Sequence, residues 1–144
     1  MKIMFCYDGS EIADKALAKT INYFQCQKPD MVIVTVVEEP RDASMENEEI
    51  FEEWKKERHN ELRKAAEYAV GQGLEVDVIL ATGDPREMIL EAAEKKDPEL
   101  IVIARRGVGQ NRVKRMVLGS VSAYIVRHAQ RPVMVMTLKK GEAF

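Results

Sequence analysis

Hydrophobic positions recur along the chain with two alternating periods. Five apolar runs have the length of strands: Lys2–Tyr7, Met31–Val37, Leu74–Leu80, Leu100–Ile103 and Pro132–Leu138. The second, "MVIVTVV", and the fourth, "LIVI", are almost continuously apolar and partly β-branched, as expected of strands buried on both faces of a parallel sheet. The third, "LEVDVIL", alternates at first, which predicts a strand with one wetter face. Between the runs the spacing lengthens to three and four. Ser10 can cap a helix carrying Ala13, Leu17, Ile21 and Phe24 on one side. A longer amphipathic stretch from Glu46 to Val70 carries Ile50, Trp54, Leu62, Ala65, Ala66 and Ala69, and Gly71 and Gly73 end it. Asp84-Pro85 supplies a cap and a first-turn proline ahead of Met88, Ile89, Ala92 and Ala93. Ser120 or Ser122 opens a last helix with Tyr124, Ile125 and Ala129, which Pro132 stops.

Strand and helix thus alternate four times before a closing fifth strand. That order predicts an α/β fold: an open, doubly wound five-stranded parallel sheet with helices on both faces, in one domain over residues 1–144. With the common strand order 3-2-1-4-5, the order reverses between strands 1 and 4, and a crevice opens at their carboxyl ends. The residues there would be Tyr7, Asp8, Gly9 and Ser10 on one side and Ala104, Arg105, Arg106 and Gly107 on the other. The same order makes strand 5 an edge whose unpaired backbone groups need cover. The same strand of a second subunit can supply it by two-fold symmetry.

Composition narrows the class. The chain has 144 residues, 46% of them hydrophobic and 32% charged, enough for one substantial core. No apolar run approaches the roughly 18 residues of a membrane span. The net charge of −2 disfavours general nucleic-acid binding. Cys6 and Cys26 are the only cysteines and belong to no close-spaced metal or redox motif, so both are expected as reduced thiols in a cytoplasmic protein. Charge is nonetheless segregated: Glu46, Glu48, Glu49, Glu52 and Glu53 form an acidic block, and Arg105, Arg106, Arg112, Lys114 and Arg115 a basic one.

The basic block lies in "ARRGVGQNRVKRMVLGS", between strand 4 and the last helix, at the expected crevice. Its glycines permit close approach of backbone to a ligand, its N–H groups can form an anion-binding nest, and the following helix adds a positive end beside Gly119 and Ser120. A basic surface loop with a Gly-Ser helix start fits the same letters. Val113, Met116 and Val117 suggest a helical turn inside it. Asp8 ends strand 1, where a carboxylate can accept from ribose or adenine; as part of "DGS" it can equally be a turn residue. Val36 and Val37 can offer an apolar wall to a base or simply pack the core. Neither His59, on the charged long helix, nor His128, at the end of the last helix, has neighbours spaced for metal binding, and there is no nucleophile elbow or "GxxxxGK[ST]" loop. Binding is favoured over chemistry.

With "FCYDGSEIADKAL" near one end, "VIVTVVEEP" and "ATGDPREMILEAA" between, and "VLGSVSAYIVRHAQRPVMVM" near the other, the chain resembles the universal stress protein family over essentially its whole length. The resemblance implies the 3-2-1-4-5 sheet and a homodimer paired through Val133–Thr137. Nucleotide-holding members carry Gly-x-x-Gly, nine residues, then Gly followed by Ser or Thr. By that match Asp8 contacts the nucleoside, the Val36 backbone reads adenine, and Ala104, Gly107, Gly109, Gly119, Ser120 and Val121 surround the phosphates. The pattern is altered: Ala104 stands at the first glycine, and eleven residues rather than nine separate Gly107 from Gly119. Counting from Gly109 restores the nine but sets Arg106 at the first glycine. The implied function is a stress-response module that holds ATP or AMP, with magnesium as a bridge between phosphates. Arg106 or Arg112 would add charge neutralisation. The alternatives are a nucleotide-independent dimer that engages an unknown protein partner and, third, a slow ATP hydrolase.

Overall fold

The computed structural model describes residues 1–39, 45–105 and 119–138. Five strands, β1 (Lys2–Cys6), β2 (Asp30–Val37), β3 (Val76–Thr82), β4 (Leu100–Ala104) and β5 (Val133–Met136), form one sheet in the order β3-β2-β1-β4-β5. Every neighbouring pair is parallel, with Phe5 opposite Ile33 on one side and Val102 on the other. Helices α1 (Glu11–Phe24), α2 (Met45–Gly71), α3 (Pro85–Lys96) and α4 (Ser120–His128) make the crossovers. The fold is therefore the doubly wound α/β sheet that the sequence predicts.

Strand alternation sorts the core into two layers. Ile3, Phe5, Tyr7, Met31, Ile33 and Val102 pack with Leu17 and Ile21 of α1 and Leu62, Ala65 and Ala69 of α2. Met4, Cys6, Val32, Val34, Ile101 and Ile103 pack with Ile89, Ala92 and Ala93 of α3 and Ile125 of α4. Ile3, Met4 and Phe5 in β1 are wholly buried, as expected of the central strand. β3 is the wetter edge, with Val78 half exposed.

The helix signals act as read, with small differences at ends. Ser10 accepts the Ala13 N–H at 3.1 Å, and Asp84 accepts the Arg86 N–H at 2.9 Å with Pro85 in the first turn. α4 opens at Ser120, one of the two serines read as its start, with Gly119 as the residue before it and no side-chain cap. Leu74 does not begin β3: its N–H returns to the Ala69 carbonyl and Gly73 takes φ +88°, so this residue closes α2 and the strand starts two residues later. A 3₁₀ turn at Gln25–Gln27, followed by Lys28 at φ 45°, has no counterpart in the sequence pattern. The expected helical turn at Val113, Met116 and Val117 lies outside the described residues.

Among the described residues no helix is long and apolar enough to cross a membrane.

Candidate functional site

Three strand ends and two helix starts meet above the carboxyl edge of the sheet. Because β1 lies between β2 and β4, the chain must leave β1 and β4 towards opposite faces, and the gap between the two exits is a cavity of about 350 Å³. Asp8 from the end of β1, Val34 and Val36 from β2, and Ile103 and Ala104 from β4 line its floor and sides. Pro85 and Ile89 of α3 and Gly119, Ser120 and Val121 at the start of α4 complete it, with Glu38 at the rim. The size lies within the usual range for small-molecule sites.

Its parts differ in chemistry. Val34, Val36, Pro85, Ile89 and Ile103 offer an apolar slot of the kind a flat ring fills. Asp8 brings a carboxylate whose aim is set locally: its Oδ1 accepts from the Ser10 N–H at 3.0 Å and the Ser10 hydroxyl at 2.6 Å. Gly9 between them sits at φ +79°, a conformation that favours glycine. At the other end, α4 carries no acidic residue in its first turn and no side chain caps it. Its first N–H groups thus lack intrahelical partners and carry the positive end of the helix dipole. Gly119 has an ordinary φ of −57°, and among the described residues a Cβ built on it would meet nothing within 4 Å. Glycine is a favoured residue at a helix start, and here it also leaves the cavity side of that start open.

Two titrating groups border the site. Burial pushes the Cys6 thiol up to about 12, so this cavity-lining sulfur stays protonated and unreactive. Tyr7 is pushed upwards too, first by burial, then by donating its hydroxyl to Asp14 at 2.5 Å, and further by the charges of Asp14, Glu61 and Asp8. A shallower cavity shares Glu38, Pro85, Ser120 and Val121 and adds Glu39, Gly83, Asp84 and Arg86. Arg86 is committed there: it bonds Asp84 at 3.2 and 3.0 Å and lies 5.5 Å from the centre of the Tyr124 ring. Its guanidinium holds the Asp84 carboxyl below the ordinary carboxylate range.

Of the residues singled out from the sequence, Tyr7, Asp8, Val36, Ala104, Gly119, Ser120 and Val121 line this one cavity. Gly107 and Gly109, with Arg106 and Arg112, lie outside the described residues. Gly9, Ser10 and Arg105 border the crevice without lining the cavity; the Arg105 N–H instead extends the β4–β5 ladder to the Met136 carbonyl at 2.9 Å. Sequence reasoning missed Cys6, Ala13, Val34, Glu38, Pro85, Ile89, Ile103 and Ser122 as walls. Most of these are apolar residues of strands and helices, whose letters signal core and nothing more. His59 and His128 are exposed and remote from the cavity lining, with the His128 ring 4.2 Å from that of Tyr124. Among the described residues no three His, Cys, Asp or Glu side chains gather into a metal-binding group.

Comparison with known proteins agrees with this architecture. The chain is 31% identical to the universal stress protein YxiE of Bacillus subtilis, over 93% of this chain and 97% of that one. Its fold matches the solved structure of the Methanocaldococcus jannaschii protein MJ0577 with a TM-score of 0.81 at 24% identity, covering 96% of each chain. An Arabidopsis thaliana family member solved with AMP bound matches with a TM-score of 0.71 at 21% identity, covering 99% of this chain and 94% of that one. An Archaeoglobus fulgidus universal stress protein in complex with dAMP matches at 0.68 and 19%, covering 94% and 97%. The model of the universal stress protein family itself matches residues 1–137, from the first strand through the last, and the chain belongs to that family.

Proposed function

We propose that this protein is a dimeric adenine-nucleotide-binding module of the stress response, holding ATP or AMP in the cavity above β1 and β4 and acting by binding rather than turnover. The observation that carries the reading is the convergence of three parts on one cavity: the uncapped start of α4 at Gly119 and Ser120, the Asp8 carboxylate and the Val36 wall. In this reading adenine lies in the apolar slot against Val36, where strand backbone groups can read its edge. Asp8 accepts from ribose hydroxyls. The phosphates meet the N–H groups of Ser120 and Val121 and the Ser120 hydroxyl beside Gly119, with Ala104 below. Magnesium, which needs few protein ligands, would supply neutralisation of phosphate charge if it accompanied the nucleotide. The AMP and dAMP complexes of the two relatives support this choice of ligand class.

The dimer is proposed through β5. The Pro132 and Met136 carbonyls accept from Ile101 of β4 and from Arg105 just beyond it, so strand alternation turns the backbone of Val133 and Val135 outwards, onto the open edge. A cytoplasmic location accords with the reduced cysteines.

Calorimetric titration of wild-type protein and Gly119→Ala with AMP, ATP and adenosine, with and without magnesium, tests the ligand reading. AMP and ATP should bind wild type, and the added methyl should weaken both while sparing adenosine, at a cost to stability of about 0.5–1 kcal/mol for losing glycine at the helix start. Absence of heat and of co-purified nucleotide would sink it. A second reading, docking of a protein partner, draws on α2, where Ile50 and Trp54 stand exposed among Glu46, Glu49, Glu53 and Glu57. It predicts partner capture that ignores nucleotide.

A further inference from the structure

The turn that presents Asp8 is shaped by its own hydrogen bonds to Ser10, but those bonds do not set where the turn stands relative to the sheet. A side chain of α2 touches it from outside. A Cβ built on Gly9 would meet Glu61 Oε2 at 1.8 Å and Arg58 Nη1 at 2.7 Å. With one carbon–carbon bond allowed for, that oxygen lies no more than about 3.3 Å from Gly9 Cα, the distance of a Cα–H···O contact. The same oxygen is buried and, among the described residues, accepts no hydrogen bond; Arg58, one turn earlier, forms an ion pair with it at 3.6 Å. A carboxylate is thus fixed by its own helix in the space that only glycine leaves open.

The position along α2 matters as much as the contact. Leu62, Ala65 and Ala69 are its buried residues, whereas Ile50 and Trp54 further towards its start are exposed. The Arg58–Glu61 turn is therefore where, among the described residues, the fully buried part of the helix begins. There it lies against the turn that carries Asp8.

We propose that Glu61, oriented by Arg58, is a positioning residue for the adenine-nucleotide site: its carboxylate holds the Asp8–Gly9–Ser10 turn in place and so sets the aim of Asp8 into the cavity. The proposal rests on the nucleotide reading above. Carboxylate-to-hydroxyl bonds weaken steeply outside a narrow range of length and angle, so a turn free to drift would keep Asp8 near the ligand yet poorly aligned with it. Binding at the cavity and the seating of α2 are then linked in both directions.

The test joins two readouts on wild type, Glu61→Ala and Glu61→Gln. Hydrogen exchange at the Ser10 amide, followed by NMR without ligand, reports the turn; AMP titration reports its consequence. Glu61→Ala should raise Ser10 exchange and the AMP Kd together, each about three- to fivefold, while the melting temperature stays near that of wild type. Glu61→Gln, which keeps an oxygen in the same place, should fall between and serves if the alanine variant folds poorly. Wild-type exchange in both variants overturns the proposal, as does a change in exchange without a change in Kd. If wild type binds no AMP, the nucleotide reading fails by itself, and Ser10 exchange alone decides whether Glu61 holds the turn.

Discussion

Replacing Asp8 by asparagine separates two roles that its position would otherwise confound. Asp8 accepts two bonds from Ser10 through one oxygen. The asparagine oxygen can accept the same two, so the turn and the start of α1 should survive. What disappears is the negative charge facing the cavity. A hydrogen bond to a charged acceptor contributes about 1.5–3 kcal/mol and a neutral one about 1 kcal/mol, so the ribose contact should lose about 0.5–2 kcal/mol. That is roughly a two- to thirtyfold weaker Kd. Losing the charge also relieves repulsion towards phosphate, which works in the opposite direction for AMP. Adenosine, lacking phosphate, should therefore show the larger loss. Calorimetric titrations of wild type, Asp8→Asn and Asp8→Ala with adenosine and AMP at one ionic strength check this. The alanine variant should lose stability as well, because both Ser10 bonds go. If Asp8→Asn binds both ligands like wild type, Asp8 is a turn residue and the ribose assignment is wrong.

Other perturbations test the frame around the site. Ser10→Ala removes the acceptor for the Ala13 N–H and the donor to Asp8; it should cost about 1–2 kcal/mol and lower the melting temperature by about 3–8 °C, measured by calorimetry. At alkaline pH the Cys6 thiol, raised from 9.0 to about 12, binds its proton more tightly folded than unfolded. Its contribution is thus complete below pH 9 and fades between about 9 and 12, with Tyr7 acting in the same direction. Denaturant midpoints should fall over that window, and Cys6→Ala should flatten the fall. At neutral pH a thiol reagent should modify exposed Cys26 at once and Cys6 only on unfolding. Val135→Pro removes an outward-facing N–H without breaking the β4 ladder; if the proposed pairing through β5 holds, sedimentation should show a dimer for wild type and a monomer for this variant.

Legibility in the sequence follows how strongly local chemistry constrains each element. The uninterrupted apolar runs of β2 and β4 and the alternating start of β3 correspond to two inner strands and one edge, because burial on one face or two dictates those patterns directly. Caps with one acceptor for one N–H, Ser10 and Asp84, were equally plain. Ends were less so: Leu74 is as apolar as a strand residue, yet its burial completes the α2 stop. In the site, Asp8 and Gly119 stood out because a charge and a glycine at strand and helix ends invite explanation. The slot they border is made of Val34, Pro85, Ile89 and Ile103, whose letters carry the same message in a wall as in a core. Glu61 was invisible for a different reason: nothing in the sequence says that its carboxylate reaches Gly9, more than fifty residues away.

The middle position of β1 has a consequence for how the chain is made. Its partners on either side are β2, from Asp30, and β4, from Leu100, so roughly seventy residues separate the arrival of one neighbour from that of the other. At synthesis rates of about 5–20 residues per second that interval lasts on the order of 4–14 s. Throughout it, one rail of hydrogen-bonding groups on a strand as apolar as Ile3-Met4-Phe5 stays unmatched, while α1 and α2 can already cover one face. Ribosome pausing before Leu100 would lengthen the exposure, and the yield of soluble protein should respond to codon choice in that stretch more than to the same change after Met136.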